Sequence, residues 1–535
     1  MNATRTSKPS GIGATRDKLE FNMRIRTFTA AVCALSCAAI LHGQGSPVTA
    51  AACERLASSL KLSNAKVNAV QAVAAGDFTP PAPPGAARPP ATEKDVPAFC
   101  RVSLTLMPSS DSDIKSEVWL PLAGWNGKFQ EVGNGGWGGS IQYGTLAAAV
   151  RRGYAAASTD TGHVGDSASF ALGHPEKLID FGHRAIHETA VQSKATIVAH
   201  YGSAPKLSYF NGCSGGGRQA FMEAQRYPQD FDSIIAGAPG YNRTDQSFQL
   251  VAASKATHME AASFIPPAKL QVLFKAALNA CDEGDGLKDG LIGNPLACKF
   301  DPAVTACKAG DAADCLTGPQ VIAAKKIYSP IVDPKTGKQV FPGVVPGSEP
   351  RWTVNAGGPR PLGMSDDLFK YVVFKDPNWD FRTLDLAQHL EMARKAAAET
   401  IDATSPNIKP FVERGGKLLI YHGWGDTNVP PTSSVDYYNR VVATLGEKQA
   451  SDSVRLFMAP GMGHCGNGEG PNVFDTVTAL EQWREHGKAP NEIVASLIAD
   501  GTVVRTRPLC PFPQIAKYTG TGSIDKAENF VCRIP

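Results

Sequence analysis

The sequence predicts an α/β protein: a mostly parallel β-sheet covered on both faces by helices and interrupted by a large insertion. Three observations carry this. Short apolar runs of strand length alternate with helix-length stretches, the alternation breaks off between residues 241 and 405, and it resumes at Lys417. A chain of 535 residues with 43% hydrophobic and 19% charged side chains excludes a small disulfide module, a mostly disordered chain and a collagen-like fibre. The 52 glycines and 39 prolines point to many turns rather than to a helical bundle.

Residues 1–50 read as a leader. Met23-Arg24-Ile25-Arg26 is followed by an apolar run from Thr27 to Leu41 and by small residues up to Ala50, the pattern of a secretory signal peptide. Residues 1–22 lack that character, which leaves Met23 as an alternative start. The apolar run is too short for a membrane span, which needs roughly twenty residues, and no other segment reaches that length. Ala34 is a poor opening for a lipoprotein anchor at Cys37. The expectation is export, to the periplasm or the medium. The formal charge is +3, and residues 1–50 hold six basic against two acidic side chains, so the remainder is close to neutral. No basic stripe is left to hold a polyanion, and nucleic acid is not an expected partner.

Residues 51–240 form the first part of the core. A Pro- and Ala-rich connector at 78–93 precedes strand-like runs at 117–120, 128–132, 154–158, 207–211 and 233–236, with helical stretches at 181–201 and 218–226. Residues 241–405 carry four cysteines, an acidic Gly-rich loop and the aromatics Trp352, Phe369, Tyr371, Phe374, Trp379 and Phe381 without a strand-helix rhythm. They read as an inserted lid, whose aromatics either bind an aromatic acid or form the lid's own core. Residues 406–535 complete the core, with strands at 417–421 and 454–458.

In an oxidising compartment disulfides persist. Outside the leader ten cysteines remain, and proximity pairs Cys53 with Cys100, Cys281 with Cys298, Cys307 with Cys315 and Cys510 with Cys532. Cys213 and Cys465 are left over, too far apart in sequence to be paired by spacing.

Gly212-Cys213-Ser214-Gly215-Gly216 matches the G-x-S-x-G nucleophile elbow, in which small residues let a strained strand-to-helix turn hold a serine hydroxyl out of the sheet. The motif alone is weak, but a β-type run precedes it and a helical one follows. The α/β-hydrolase order then places an acid and a histidine downstream. His464, in Pro460-Gly461-Met462-Gly463-His464-Cys465-Gly466, follows the strand at 454–458, whereas His486 sits on a charged helical face. Asp426 ends Tyr421-His422-Gly423-Trp424-Gly425-Asp426 after the strand at 417–421, and Asp436, in a helical stretch, is the alternative acid. If Ser214 and His464 meet, their neighbours Cys213 and Cys465 are close enough to bridge. Oxyanion donors are expected from the Gly215 N–H and from the Gly-rich loop 132–139. That loop lacks the G-x-G-x-x-G spacing of a dinucleotide site.

The loop Cys281-Asp282-Glu283-Gly284-Asp285-Gly286-Leu287-Lys288-Asp289-Gly290-Leu291 offers hard oxygen donors suited to Ca²⁺, although the closing Glu of an EF-hand is missing. A solvated acidic turn is the competing reading. His183 and His187 lie one helical turn apart without the intervening Glu of a zinc protease, and read as surface histidines.

Together the elbow with its cysteine, the acidic loop 281–291, the 421–426 run, the Gly-His464-Cys465 turn and Arg505-Thr506-Arg507-Pro508-Leu509-Cys510-Pro511 resemble the tannase and feruloyl esterase family over residues 50–535. The resemblance implies an α/β-hydrolase fold with a lid inserted after the strand near Ile235, and hydrolysis of esters of phenolic or aromatic acids. It implies a triad of Ser214, Asp426 and His464, and oxyanion donors Gly215 and Gly136. It also implies a structural calcium held by the side chains of Asp282, Asp285 and Asp289 and the backbone oxygens of Leu287 and Leu291. One branch of the family hydrolyses mono(2-hydroxyethyl) terephthalate and holds its free carboxylate with a lid arginine. Arg351, Arg360 and Arg382 lie in the lid here, and none matches that context. In that branch a Phe lines the acyl pocket where this chain has Val429. A catalytically silent binding module would lack a triad member, and none is lacking; a peptidase is disfavoured by the family likeness alone. The expected partner is a small aromatic ester, and the oligomeric state is left open.

Overall fold

The computed structural model describes residues 49–82, 90–354, 356 and 366–535. Most of the expected leader, with Cys33 and Cys37, the middle of the Pro- and Ala-rich connector and Arg360 lie outside the described residues.

Nine strands form one sheet: β1 (Ala65–Val73), β2 (Phe99–Leu106), β3 (Ile114–Pro121), β4 (Lys128–Val132), β5 (Ala155–Thr159), β6 (Leu207–Cys213), β7 (Ser233–Gly237), β8 (Lys417–Gly423) and β9 (Val454–Ala459). Their spatial order is 1-2-3-5-4-6-7-8-9. The six strands from β5 to β9 along this order pair in parallel, and β1, β2 and β3 add antiparallel at one edge. This is the mostly parallel α/β-hydrolase sheet. The sequence reading found β3 to β9 and missed β1 and β2. The β1 segment AKVNAVQAV buries only Val73, and both strands stand outside the strand-helix alternation that marks the others.

Side chains alternate between the faces of each strand, so two separate cores form. On one side Phe210, Ile234, Leu418 and Ile420 meet Ile186, Ala190 and Ile197. Tyr209, Ile235, Leu419 and Phe457 face the other way, onto Leu146, Val150, Leu480 and Trp483. The helices supplying these partners are α1 (Tyr143–Arg151), α2 (Ala185–Tyr201) and α6 (Thr476–His486); α3 (Gly215–Arg226) and α5 (Thr432–Leu445) add Phe221 and Val435 to the first core, and α4 (Arg243–His258) belongs to the insertion. A run that is apolar at every position, such as Leu418-Leu419-Ile420, is what burial on both faces requires.

Between β7 and β8 the chain adds no strand to the sheet, yet these two strands are neighbours, with Ser233 opposite Lys417. The intervening segment builds cores of its own. Trp352 packs with Leu270, Leu273 and Ile327, and Phe369 with Phe248 and Leu390, while Phe374, Trp379 and Phe381 lie against the second group. Of the two readings of these aromatics, the structure favours the lid core. After β9 two small ribbons, Ile493–Ala499 with Thr502–Leu509 and Ile515–Tyr518 with Phe530–Arg533, close the chain. All five expected disulfides form, including Cys213–Cys465 across 252 residues. Among the described residues no helix is long and apolar enough to cross a membrane.

The helix α3 lies so close to the end of β7 that a Cβ on Gly217 would stand 2.4 Å from the Gly237 carbonyl oxygen and 2.7 Å from Pro239 Cα. Both obstacles are backbone. Gly217→Ala should therefore lower stability in urea unfolding, against the gain of about 1 kcal/mol that Ala brings to an ordinary helix interior. An unchanged or raised midpoint would contradict this packing.

Candidate active site

Ser214 joins β6 to α3 with φ 64° and ψ −117°, a conformation that non-glycine residues rarely hold. The flanking glycines explain how it is tolerated. A Cβ on Gly212 would meet the Gly216 carbonyl carbon and oxygen at 2.6 Å, and one on Gly133 would meet Gly216 Cα at 2.7 Å. The Ser214 N–H donates to the Gly237 carbonyl at 2.9 Å, which ties the turn to the end of β7.

The carboxyl ends of β6, β8 and β9 deliver the three predicted side chains to one place. His464 Nε2 is 2.7 Å from Ser214 Oγ, and His464 Nδ1 is 2.6 Å from Asp426 Oδ2. Asp426 is fully buried; its Oδ1 accepts the N–H groups of Asn428 at 2.8 Å and Val429 at 3.1 Å. Its Oδ2 also faces His422 Nε2 at 2.9 Å. Burial by itself would raise the Asp426 pKa, but the charge of His464 and the hydrogen bonds from both histidines hold it well below the usual carboxylate range. Burial lowers the His464 pKa and Asp426 more than offsets that, so His464 stands above an ordinary histidine. Cys465 also has a positive φ, 60°, and its bridge to Cys213 fixes the backbone on both sides of the Ser214–His464 contact.

The Gly-rich loop follows β4. Asn134 pins it: its Nδ2 donates to the carbonyls of Ser140 at 2.9 Å and Thr159 at 2.7 Å, and its N–H donates to Gln219 Oε1 at 2.9 Å. Gly136 has φ +51°, and a Cβ there would stand 2.2 Å from Asp166 Oδ1. Neither the Gly136 nor the Gly215 N–H makes a hydrogen bond among the described residues. Both glycines, with Ser214 and His464, line a cavity of about 810 Å³. Phe181, Tyr421, Val429, Leu250, Asp166 and Arg243 also line it. The sequence reading missed Asp166, Phe181 and Arg243, which lie in no motif, and His422, which it quoted without a role.

The remaining candidates lie elsewhere. Asp436 is on α5 and makes no bond to His464, and His486 is exposed. His183 Nδ1 pairs with the Tyr227 hydroxyl and His187 Nδ1 with Asp230. Arg351 does not reach the cavity lining; it packs under the histidine turn, bonded to the Gly461 carbonyl and Glu469. Arg382 pairs with Asp380 at the surface. In the acidic loop Asp282 accepts the N–H groups of Asp289 and Gly290, Asp285 that of Leu287 and Asp289 that of Leu291, and Arg507 pairs with Asp289. Burial, with the charges of Asp289 and Asp282, pushes Asp285 up to about 6. Among the described residues no group of three or more His, Cys, Asp or Glu side chains is arranged to hold a metal ion. The donor set is nonetheless all oxygen, three carboxylates in one Gly-bent loop, which is the chemistry calcium takes.

The family model described as tannase and feruloyl esterase matches residues 100–533. The chain is 39% identical to an uncharacterized esterase of Xanthomonas campestris pv. campestris, over 90% of this chain and 91% of that one. It is 34% identical to a probable feruloyl esterase B of Aspergillus clavatus, over 90% and 95%. The crystal structure of feruloyl esterase B from Aspergillus oryzae superposes with a TM-score of 0.84 at 30% identity, covering 90% of this chain and all of that one.

An organophosphorus probe should label Ser214, at a rate that rises with pH through the raised pKa of His464. That midpoint is expected above the ordinary histidine value of about 6.5, because only the neutral ring accepts the serine proton. Peptide mapping of the labelled protein at several pH values checks both site and midpoint; a midpoint below the ordinary value would contradict the Asp426 pairing.

Proposed function

Since this chain belongs to the tannase and feruloyl esterase family and is a carboxylic ester hydrolase, we propose that it cleaves esters of phenolic or aromatic acids through an acyl-enzyme on Ser214. The observation that carries this reading is the continuous hydrogen-bonded run Ser214–His464–Asp426 beside two unclaimed N–H groups in one cavity. Ser214 Oγ attacks the ester carbonyl while its proton passes to His464 Nε2, and Asp426 stabilises the imidazolium. The oxyanion takes the N–H groups of Gly215 and Gly136. The carbon–oxygen bond to the alcohol breaks as His464 returns the proton to the leaving oxygen. Water then repeats the sequence on the acyl-enzyme, with His464 again as base, and frees the acid.

A second reading, hydrolysis of mono(2-hydroxyethyl) terephthalate-type monoesters, draws support from Arg243. This residue opens α4 and lines the cavity. Its guanidinium lies 4.7 Å from the Trp137 ring centre and makes no hydrogen bond among the described residues, and Nε is buried without a partner. A guanidinium left without acceptors is costly, and a carboxylate satisfies it with two parallel bonds.

Export through the expected signal peptide accords with the five disulfides. The loop carboxylates of Asp282, Asp285 and Asp289 with the carbonyls of Leu287 and Leu291 would hold a Ca²⁺. When bound, the ion would neutralise their mutual repulsion; Arg507 and Lys517, one from each C-terminal ribbon, already hold the loop through Asp289 and the Asp285 carbonyl.

Methyl ferulate, methyl gallate and mono(2-hydroxyethyl) terephthalate should be assayed with the parent, Ser214→Ala and Arg243→Leu. Turnover of at least one ester should vanish in Ser214→Ala, and its persistence would overturn the mechanism. Under the second reading Arg243→Leu should cost about 10- to 100-fold in kcat/KM on the terephthalate monoester and far less on the methyl esters; equal losses would remove that reading. Chelation with EDTA should lower the Tm while kcat near room temperature changes little, and an unchanged melting curve would remove the calcium assignment.

A further inference from the structure

His422 lies near the end of β8, four residues before Asp426, and is fully buried. Its Nε2 lies 2.9 Å from Asp426 Oδ2 and 3.0 Å from the Val429 carbonyl oxygen. Both are acceptors, so Nε2 carries a proton and donates it. Its Nδ1 lies 2.8 Å from Ser434 Oγ, in the first turn of α5, and that hydroxyl has no other hydrogen bond among the described residues. Both ring nitrogens of His422 are therefore hydrogen-bonded.

We propose that His422 is a positioning residue for the hydrolytic reaction: its Nε2–H fixes the Asp426 carboxylate and draws charge from Oδ2, the oxygen that faces His464, while Ser434 holds the ring through Nδ1. This rests on the Ser214–His464–Asp426 reading above. When Ser214 attacks, His464 becomes an imidazolium on Oδ2, the same oxygen that the His422 N–H holds at 2.9 Å. The shared oxygen also limits how strongly Asp426 holds the proton on His464, so the base is neutral, and competent, at lower pH than a singly bonded carboxylate would allow.

The charged groups around the cluster come from other elements. Arg243 on α4 acts on His464, and Arg351 from the insertion pairs with Glu469 against the histidine turn. All three are retained in the variants below, so a change on substitution reports His422.

The experiment compares His422→Phe, which removes the donor, with His422→Gln, whose amide N–H is able to reach the same oxygen. For Phe the expected result is a kcat lower by about 10- to 100-fold with KM within about twofold. The acid limb of kcat/KM should also move upward by about half to one pH unit, because Asp426 becomes more basic. Gln should return the limb to the parent position and recover most of kcat. A limb that stays in place or moves down in His422→Phe, or that Gln fails to restore, would overturn the proposal and leave His422 a packing residue. If the Phe variant does not fold, ¹⁵N-histidine spectra of the parent decide. The signal absent from His422→Gln should show a protonated, hydrogen-bonded Nε2, and an Nε2 without a proton would overturn the proposal. Retained activity in Ser214→Ala would instead sink the underlying triad, whatever the His422 variants do.

Discussion

The positive-φ backbone of Ser214 is the constraint around which the rest of the site is arranged. A side-chain-bearing residue at φ 64° between β6 and α3 survives only because the surroundings over-determine it. The requirement spreads outward through contact. Gly212, Gly133 and Gly216 let the two loops touch backbone to backbone, Gly217 lets α3 lie against the end of β7, and the Gly237 carbonyl accepts the Ser214 N–H. Each replaces a side chain with close approach, and the hydroxyl emerges above the carboxyl ends of the parallel strands as a result.

Charge is organised about a second point, Asp426. Four donors converge on one carboxylate with no solvent access, two from the chain just after it and two from imidazoles carried by β8 and by the turn after β9. A buried carboxylate so thoroughly bonded stays ionised across the working range of an esterase. The backbone donors follow from the tight turn Asp426–Val429 and His422 from β8 itself, while the His464 donor requires β8 and β9 to be neighbours, which the register of Leu418 opposite Val454 provides.

The parts of this architecture visible in the sequence are those set by local rules. The strand-turn-helix context of Ser214, the glycine-flanked turn around His464 and the all-apolar runs of strands buried on both faces each leave a signature within ten residues. β1 and β2 did not, because β1 buries only Val73 and both stand outside the alternation of strand and helix that marks the parallel part of the sheet. The lid aromatics looked equally suited to a ligand or to a core, since composition carries no direction; only packing shows Trp352 and Phe369 turned toward Leu270 and Phe248. Arg243 and Asp166 escaped for the same reason. Their meaning arises from facing a cavity assembled by distant segments. His422 was in view but lacked a role, because its function depends on the carbonyl of Val429 and the hydroxyl of Ser434, which no motif encodes.

The Cys213–Cys465 bridge has a topological meaning beyond the site it borders. It closes a covalent ring that contains α3, β7, the whole insertion, β8 and β9. A protease that cuts one exposed loop of the insertion therefore opens the ring without separating the two halves of the molecule, and the serine and histidine segments stay tethered. In the same way, chain ends generated inside the ring remain at high effective concentration, so religation or refolding around a nick is an intramolecular event. A single cut in the insertion thus does not cost the enzyme its connectedness.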